Sequence, residues 1–169
     1  KLQPFQAPKT PRGPLRSGEA LPPSMPEYEL LYFPITGLGE PVRLTMTIGG
    51  IAFKDTTPKS DEGFADKKAA VSTYGQLPIL LVDGKPMPQT RAILRYLGKI
   101  AQYEGKPLYP SDPLEAYACD ELMELMEDVR SPLTKTFSIE DQAEKEKARA
   151  ELFAEDGKIT QWLPELQKR

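Results

Sequence analysis

The sequence predicts an α/β domain in the order β-α-β-α-β-β-α, followed by a partial all-α domain. Two observations predict this. The first is the tract Gly75-Gln76-Leu77-Pro78-Ile79-Leu80-Leu81-Val82-Asp83-Gly84, followed by Gln89-Thr90-Arg91-Ala92-Ile93. It reads as a proline-led buried strand, a tight turn, a short second strand and a polar helix start. The second is a change of character after residue 113, where Leu114, Ala118, Leu122, Leu125 and Val129 recur at helical spacing.

Residues 1–26 contain seven prolines and almost no apolar pattern, so they are read as an extended arm that cannot build its own core. Residues 27–104 form the α/β domain. Tyr28-Glu29-Leu30-Leu31-Tyr32-Phe33 is rich in β-formers and predicts a strand, and Pro34 to Gly39 predicts a loop. Glu40-Pro41 opens a helix, since proline in the first turn forfeits no hydrogen bond. Val42 and Met46, with Leu44 and Ile48, supply its apolar faces, and Gly49-Gly50 ends it. Ile51 to Asp55 suits a second strand and Phe64 to Val71 a short helix. Leu77 to Val82 is continuously apolar, as a strand buried on both faces is. Asp83-Gly84 is a strong hairpin signal, so the strand near Lys85–Met87 runs antiparallel to it. Gln89 to Ala101 is a helix with Ala92, Ile93, Tyr96, Leu97 and Ile100 inward and Thr90 as its cap. This order is thioredoxin-like. A linker at 102–113 leads into residues 105–169, the partial helical domain. A second charged helix spans 139–169, weakened late by Gly157 and Pro164. The two helices expose more apolar surface than they can bury against each other.

Composition removes several function classes. Net charge is −3; four basic residues against Glu19 give the first 26 residues +3, leaving −6 for the rest. An acidic body argues against nucleic acid, whose phosphates require clustered Lys and Arg. No apolar run approaches the ~20 residues that span a bilayer. With no histidine and one cysteine, Cys119, there is no internal disulfide, zinc site or Ser-His or Cys-His nucleophile within the chain. Cys119 reads as inert in a helix seam. Catalysis must come from Tyr, Asp/Glu, Lys or the thiol of a bound molecule.

Five segments then carry a resemblance. They are Tyr28-x-Leu30-x-Tyr32-Phe33; Gly37-x-x-Glu40-x-x-Arg43; Gly75-Gln76-Leu77-Pro78-Ile79-Leu80; Asp83-Gly84; and Gln89-Thr90-x-Ala92-Ile93-x-Arg95-Tyr96-Leu97. In this order and spacing the chain resembles the cytosolic glutathione transferases, of the Sigma class in particular, over roughly residues 27–104 and the first two helices beyond. The resemblance implies binding of glutathione as co-substrate, with no metal. It also implies activation of the glutathione thiol by Tyr32 for conjugation or isomerisation. A thiol with a pKa near ~8.5 is mostly protonated at neutral pH, and a hydroxyl donor favours its thiolate. Read from the residues alone, Tyr32 serves equally as a core tyrosine of a strand.

The same resemblance assigns Gln76, Leu77, Pro78, Gln89, Thr90, Lys68 and Asp120 to glutathione. Leu77-Pro78 falls on the family's cis-proline, where the Leu77 backbone meets the cysteinyl unit as an added strand does. Gln89-Thr90 fits the γ-glutamyl carboxylate at a helix start; for Thr90 alone a plain cap explains the residue. Lys68, with Phe64, lies near the site of the glycyl end, about one residue out of step. Asp120 falls where the family reaches across its dimer, and a solvated helix face is the alternative. Ile35, Leu38 and Met123 would line the pocket for the electrophile, though ordinary surface or core roles fit each.

The chain departs from the family pattern at Leu38, where Sigma-class members carry arginine, and at Phe64, where they carry tryptophan. The family also continues through further helices beyond those of residues 105–169, and Ser138-Ile139-Glu140-Asp141 has the letters of its capping box too early. The alternative reading is therefore a non-catalytic structural subunit, anchored in a larger assembly through the arm. The expected partners are glutathione and a second copy or a larger complex. The expected location is cytoplasmic by family default, with a processed organellar protein as the other reading, since the chain starts at Lys1.

Overall fold

The computed structural model describes residues 25–168, so most of the expected proline-rich arm, residues 1–24, lies outside the described residues. The chain divides into two compact units, with the break between Pro110 and Ser111. The first unit is thioredoxin-like; the second is all-helical.

In the first unit the strands are β1 (Tyr28–Leu31), β2 (Lys54–Thr56), β3 (Ile79–Val82) and β4 (Lys85–Pro88). They form one sheet in the order β2-β1-β3-β4, with β1 parallel to β2 and antiparallel to β3. Leu30 sits opposite Leu80, and Ile79 opposite Pro88. β1 and β3 are shorter than the runs that announced them, β2 lies later than the expected Ile51–Asp55, and β4 extends to Pro88. Asp83 and Gly84 both take positive φ (50° and 77°), as the tight turn between β3 and β4 requires.

Both faces of the sheet are covered, and strand alternation decides which residue goes where. Tyr28, Leu30, Tyr32 and Leu80 face α1 (Glu40–Ile48) and α3 (Thr90–Ile100), packing with Val42, Met46, Ile93 and Leu97. Leu31, Ile79 and Leu81 face the other way and pack with Phe64 of α2 (Phe64–Val71). Two expectations for the helices need correction. Leu44 and Ile48 of α1 are exposed, because that helix has only one face on the sheet. Ala92 and Ile100 of α3 are exposed as well, leaving Ile93, Leu97 and Gly98 as its buried positions.

The sheet's α2 face also carries charge. Glu29 accepts from Lys67 Nζ at 2.7 Å and from Thr56 Oγ1, and Lys54 approaches to 3.3 Å. Burial pushes the Glu29 carboxyl up, but these hydrogen bonds and the Lys67 charge outweigh it and hold the group below its ordinary value. On the opposite face, burial and the neighbouring Tyr96 hydroxyl push Tyr28 up to about 12.

The expected linker at 102–113 contains a small hairpin, β5 (Gln102–Tyr103) and β6 (Lys106–Pro107). Glu104-Gly105, both at positive φ, is the turn signal that sequence reading passed over.

In the second unit α4 (Pro113–Lys135) starts on Asp112, whose carboxylate accepts the Leu114 and Glu115 N–H groups. It runs through Pro132. The apolar seam expected along α4 is not buried: Leu114 is 80% exposed, and no residue of the helix is fully buried. The single helix expected over 139–169 is broken into α5 (Gln142–Leu152), capped by Asp141, a 3-10 turn at Thr160–Trp162 and the short α6 (Leu163–Gln167). The break follows Leu152, whose carbonyl accepts from Ile159 N–H around Gly157.

Candidate functional site

Tyr32 is the centre of the candidate site. It lies one residue past β1, tied to β2 by its own N–H donating to the Thr56 carbonyl at 3.2 Å. Its ring continues the inward alternation of Tyr28 and Leu30, and the residue is 7% exposed. The loop from Phe33 to Gly39 wraps that ring. The Leu38 N–H donates to the phenol oxygen at 2.9 Å. An oxygen that accepts from the backbone keeps its own proton to donate elsewhere.

The wrap is possible because two positions have no side chain. A Cβ at Gly37 would stand 2.5 Å from the phenol oxygen, and one at Gly39 would overlap the ring carbons. Gly37 also has φ +42°.

Arg43 of α1 holds the same loop from behind. Its Nε and Nη2 donate to the Asp55 carboxylate at 2.7 and 3.3 Å, Nη1 to the Ile35 carbonyl at 2.9 Å and Nη2 to the Phe33 carbonyl at 3.0 Å. Glu40 adds a contact at 3.3 Å. The guanidinium carbon lies 5.7 Å from the centre of the Tyr32 ring. The Asp55 hydrogen bond leads the causes that raise the Arg43 pKa, so the group is a fixed cation. Sequence reading placed Arg43 in a motif and gave it no role. Asp55 and the loop carbonyls that Arg43 meets are not visible as partners in a one-dimensional pattern.

Beside this loop a shallow cleft of about 280 Å³, open mouth included, is lined by Leu38, Gln76, Leu77, Pro78, Pro88, Gln89 and Thr90. Its residues come from three places: the wrapped loop, the approach to β3, and the junction of β4 with α3. The Leu77–Pro78 peptide is cis, as the resemblance implies. The Gln76 carbonyl accepts from Ser72 Oγ at 3.2 Å, which pins the entry to that tract. Thr90 is not the cap expected of it: it is the first residue of α3, and Gln89 stands at the cap position with φ 77° and ψ 103° and no side-chain capping bond. The helix start therefore faces the cleft without a side-chain acceptor of its own.

Six of the predicted residues (Leu38, Gln76, Leu77, Pro78, Gln89 and Thr90) line this cleft. Within the first unit, Tyr32, Ile35 and Lys68 are not among the residues that line it. Ile35 is 59% exposed on the loop, and its carbonyl is engaged by Arg43. Lys68 is half-buried on α2, outside the cleft lining, while its neighbour Lys67 turns in to Glu29 and Asp61. Phe64 is a core residue of the second cluster, 6.1 Å from the Phe33 ring. Asp120 and Met123 are half-buried on α4, in the second unit. Cys119 is a free, half-buried thiol on the same helix. Among the described residues no group of three or more His, Cys, Asp or Glu is placed to hold a metal ion. No helix among them is long and apolar enough to cross a membrane.

Residues 29–99 match the family "Glutathione S-transferase, N-terminal domain". A crystal structure of the glutathione S-transferase from Ascaris lumbricoides superimposes with a TM-score of 0.67 at 31% identity, over 85% of this chain and 67% of that one. The chain belongs to the glutathione S-transferase family. It is 36% identical to glutathione S-transferase 1 of Ascaris suum over 115 residues, which cover 68% of this chain and 52% of that protein. A structure of prostaglandin synthase D from Nilaparvata lugens matches at 37% identity and TM-score 0.65, covering 77% of this chain and 62% of that one. The chain spans about half the length of the curated relatives it matches. The matches give no support to the alternative reading as a structural subunit.

Proposed function

We propose that this glutathione S-transferase family chain binds glutathione in the Leu38–Thr90 cleft, and that Tyr32 donates a hydrogen bond to its sulfur. The observation that carries the reading is the convergence of Gln76, Leu77, Pro78, Gln89 and Thr90 on one cleft beside Leu38, whose N–H fixes the Tyr32 phenol. The uncapped start of α3 suits a carboxylate, because backbone N–H groups at a helix start lack intrahelical partners and the helix dipole adds to their pull. Gln89 is held in a backbone conformation that ordinary side chains avoid, and such outliers gather at ligand sites. The backbone of Leu77 offers the cysteinyl unit a strand-like partner.

The chemistry follows from the hydroxyl. A donor to sulfur stabilises thiolate over thiol, and the thiolate attacks an electrophilic carbon. In conjugation a carbon–sulfur bond forms and the leaving group departs with its electron pair; in isomerisation the thiol is regenerated. Similarity to the Nilaparvata prostaglandin synthase D supports a Sigma-class placement. In a homodimer, Asp120 of a second copy would add a carboxylate toward the glutathione amino group.

Retention on immobilised glutathione tests the site. It should be lost in Thr90→Ala and Gln89→Ala. Should Tyr32→Phe conjugate a generic aromatic halide as fast as the parent, the enzymatic reading fails even if binding persists.

A further inference from the structure

We infer that Arg43 is a positioning residue for Tyr32: it fastens the Phe33–Gly39 loop so that the Leu38 N–H meets the phenol oxygen, and it does so by geometry and not by charge. The inference rests on the proposed thiol chemistry only for its catalytic consequence.

The geometric part stands on the hydrogen bonds already described. Without restraint, a seven-residue wrap containing two glycines has many conformations, and only some bring the Leu38 N–H to the phenol. Arg43 spends separate nitrogens on two carbonyls in the first half of that wrap, Phe33 and Ile35. Its remaining donors lock onto Asp55 in the middle of β2, next to Thr56, which receives the Tyr32 N–H. The backbone of Tyr32 and the loop that caps its hydroxyl are therefore referred to the same edge of the sheet. Lysine cannot reproduce this, since one ammonium lacks the planar fork that reaches a carboxylate and two carbonyls together.

Charge is the weaker explanation for the guanidinium lying against the tyrosine ring. One guanidinium faces two carboxylates, Asp55 and Glu40, so little net positive field is left to act on the phenol. Leu38 stands where the resemblance implies an arginine, and Arg43 approaches the ring from the side of α1. The hydroxyl receives a backbone donor where a side-chain cation is the family expectation.

The test uses the whole chain and three variants: Arg43→Lys, Asp55→Asn and Tyr32→Phe. Amide hydrogen exchange at Leu38 is read without ligand. Tyr32→Phe, which removes the acceptor, sets the rate of an unpaired Leu38 N–H. Arg43→Lys should move Leu38 exchange to that rate, and Asp55→Asn part of the way, while amides in β3 exchange as in the parent. With glutathione and an aromatic halide, Arg43→Lys should lower kcat ~10- to 100-fold with little change in KM for glutathione. Parent-like exchange at Leu38 in folded Arg43→Lys overturns the inference, as does a loss confined to KM. If Arg43→Lys does not fold, Asp55→Asn decides by the same two readings. If the parent binds no glutathione, the proposed function fails while the exchange experiment still judges the positioning role.

Discussion

The backbone N–H of Leu38 donates to the phenol oxygen of Tyr32 at 2.9 Å, so a leucine serves the tyrosine through its main chain. Its side chain meanwhile lines the cleft where Gln76, Leu77, Pro78, Gln89 and Thr90 converge. One residue thus couples the orientation of the hydroxyl to the wall of the site. A change of the Leu38 side chain should alter the cleft but leave the N–H in place.

Tyr32→Phe should keep the fold, since the ring's packing is unchanged, and lower conjugation by on the order of 10²-fold, the usual cost of losing one donor to a developing anion. Steady-state rates with an aromatic halide, alongside a thermal melt, check both halves. An unstable variant with a normal rate per folded molecule would point to a purely structural tyrosine.

Gly39→Ala should destabilise the first unit by about 1–3 kcal/mol, because the new methyl group occupies space held by the Tyr32 ring. Urea denaturation measures this. Gly37→Ala meets the phenol oxygen instead and adds the strain of φ +42°, so it should cost at least as much. A parent-like midpoint for either variant contradicts the close wrap.

Gln89→Gly should stabilise the fold by ~1 kcal/mol while weakening retention on immobilised glutathione. Glycine relieves the φ of 77° and removes a side chain that lines the cleft. Opposite signs in the two assays are the expected outcome; a parallel loss of both would mark Gln89 as structural.

Glu29 makes stability depend on acid. Its folded value is held below the ordinary 4.5, so its contribution is present above that pH and is lost as pH falls through the lowered value. Glu29→Gln should flatten this part of the acid limb in a stability profile, and Lys67→Met should weaken it by removing the leading hydrogen-bond donor. A profile of unchanged slope in Glu29→Gln would remove this group from the account.

Much of the architecture was legible because it rests on local and periodic signals. Proline at 41, Asp83-Gly84, and the unbroken apolar run through Leu81 each specify an element whatever surrounds it. The exposed faces of α1 and α3 were less readable, since an apolar stripe says that a face can be buried and not that a partner covers it. The hairpin at 102–107 was passed over because two-residue strands carry almost no periodic signal.

The site divides along the same line. The sequence by itself determined the β-α-β-α-β-β-α order of the first unit, because backbone preference and hydrophobic period are properties of short segments, while the cleft residues were named by the resemblance. Only the tertiary structure decided that Leu38 serves Tyr32 through its N–H, that Gln89 and not Thr90 stands at the cap of α3, and that Arg43 ties two loop carbonyls to Asp55. Those relationships join groups six to twelve residues apart in sequence or depend on one backbone angle. They exist only after the chain has closed around the tyrosine ring.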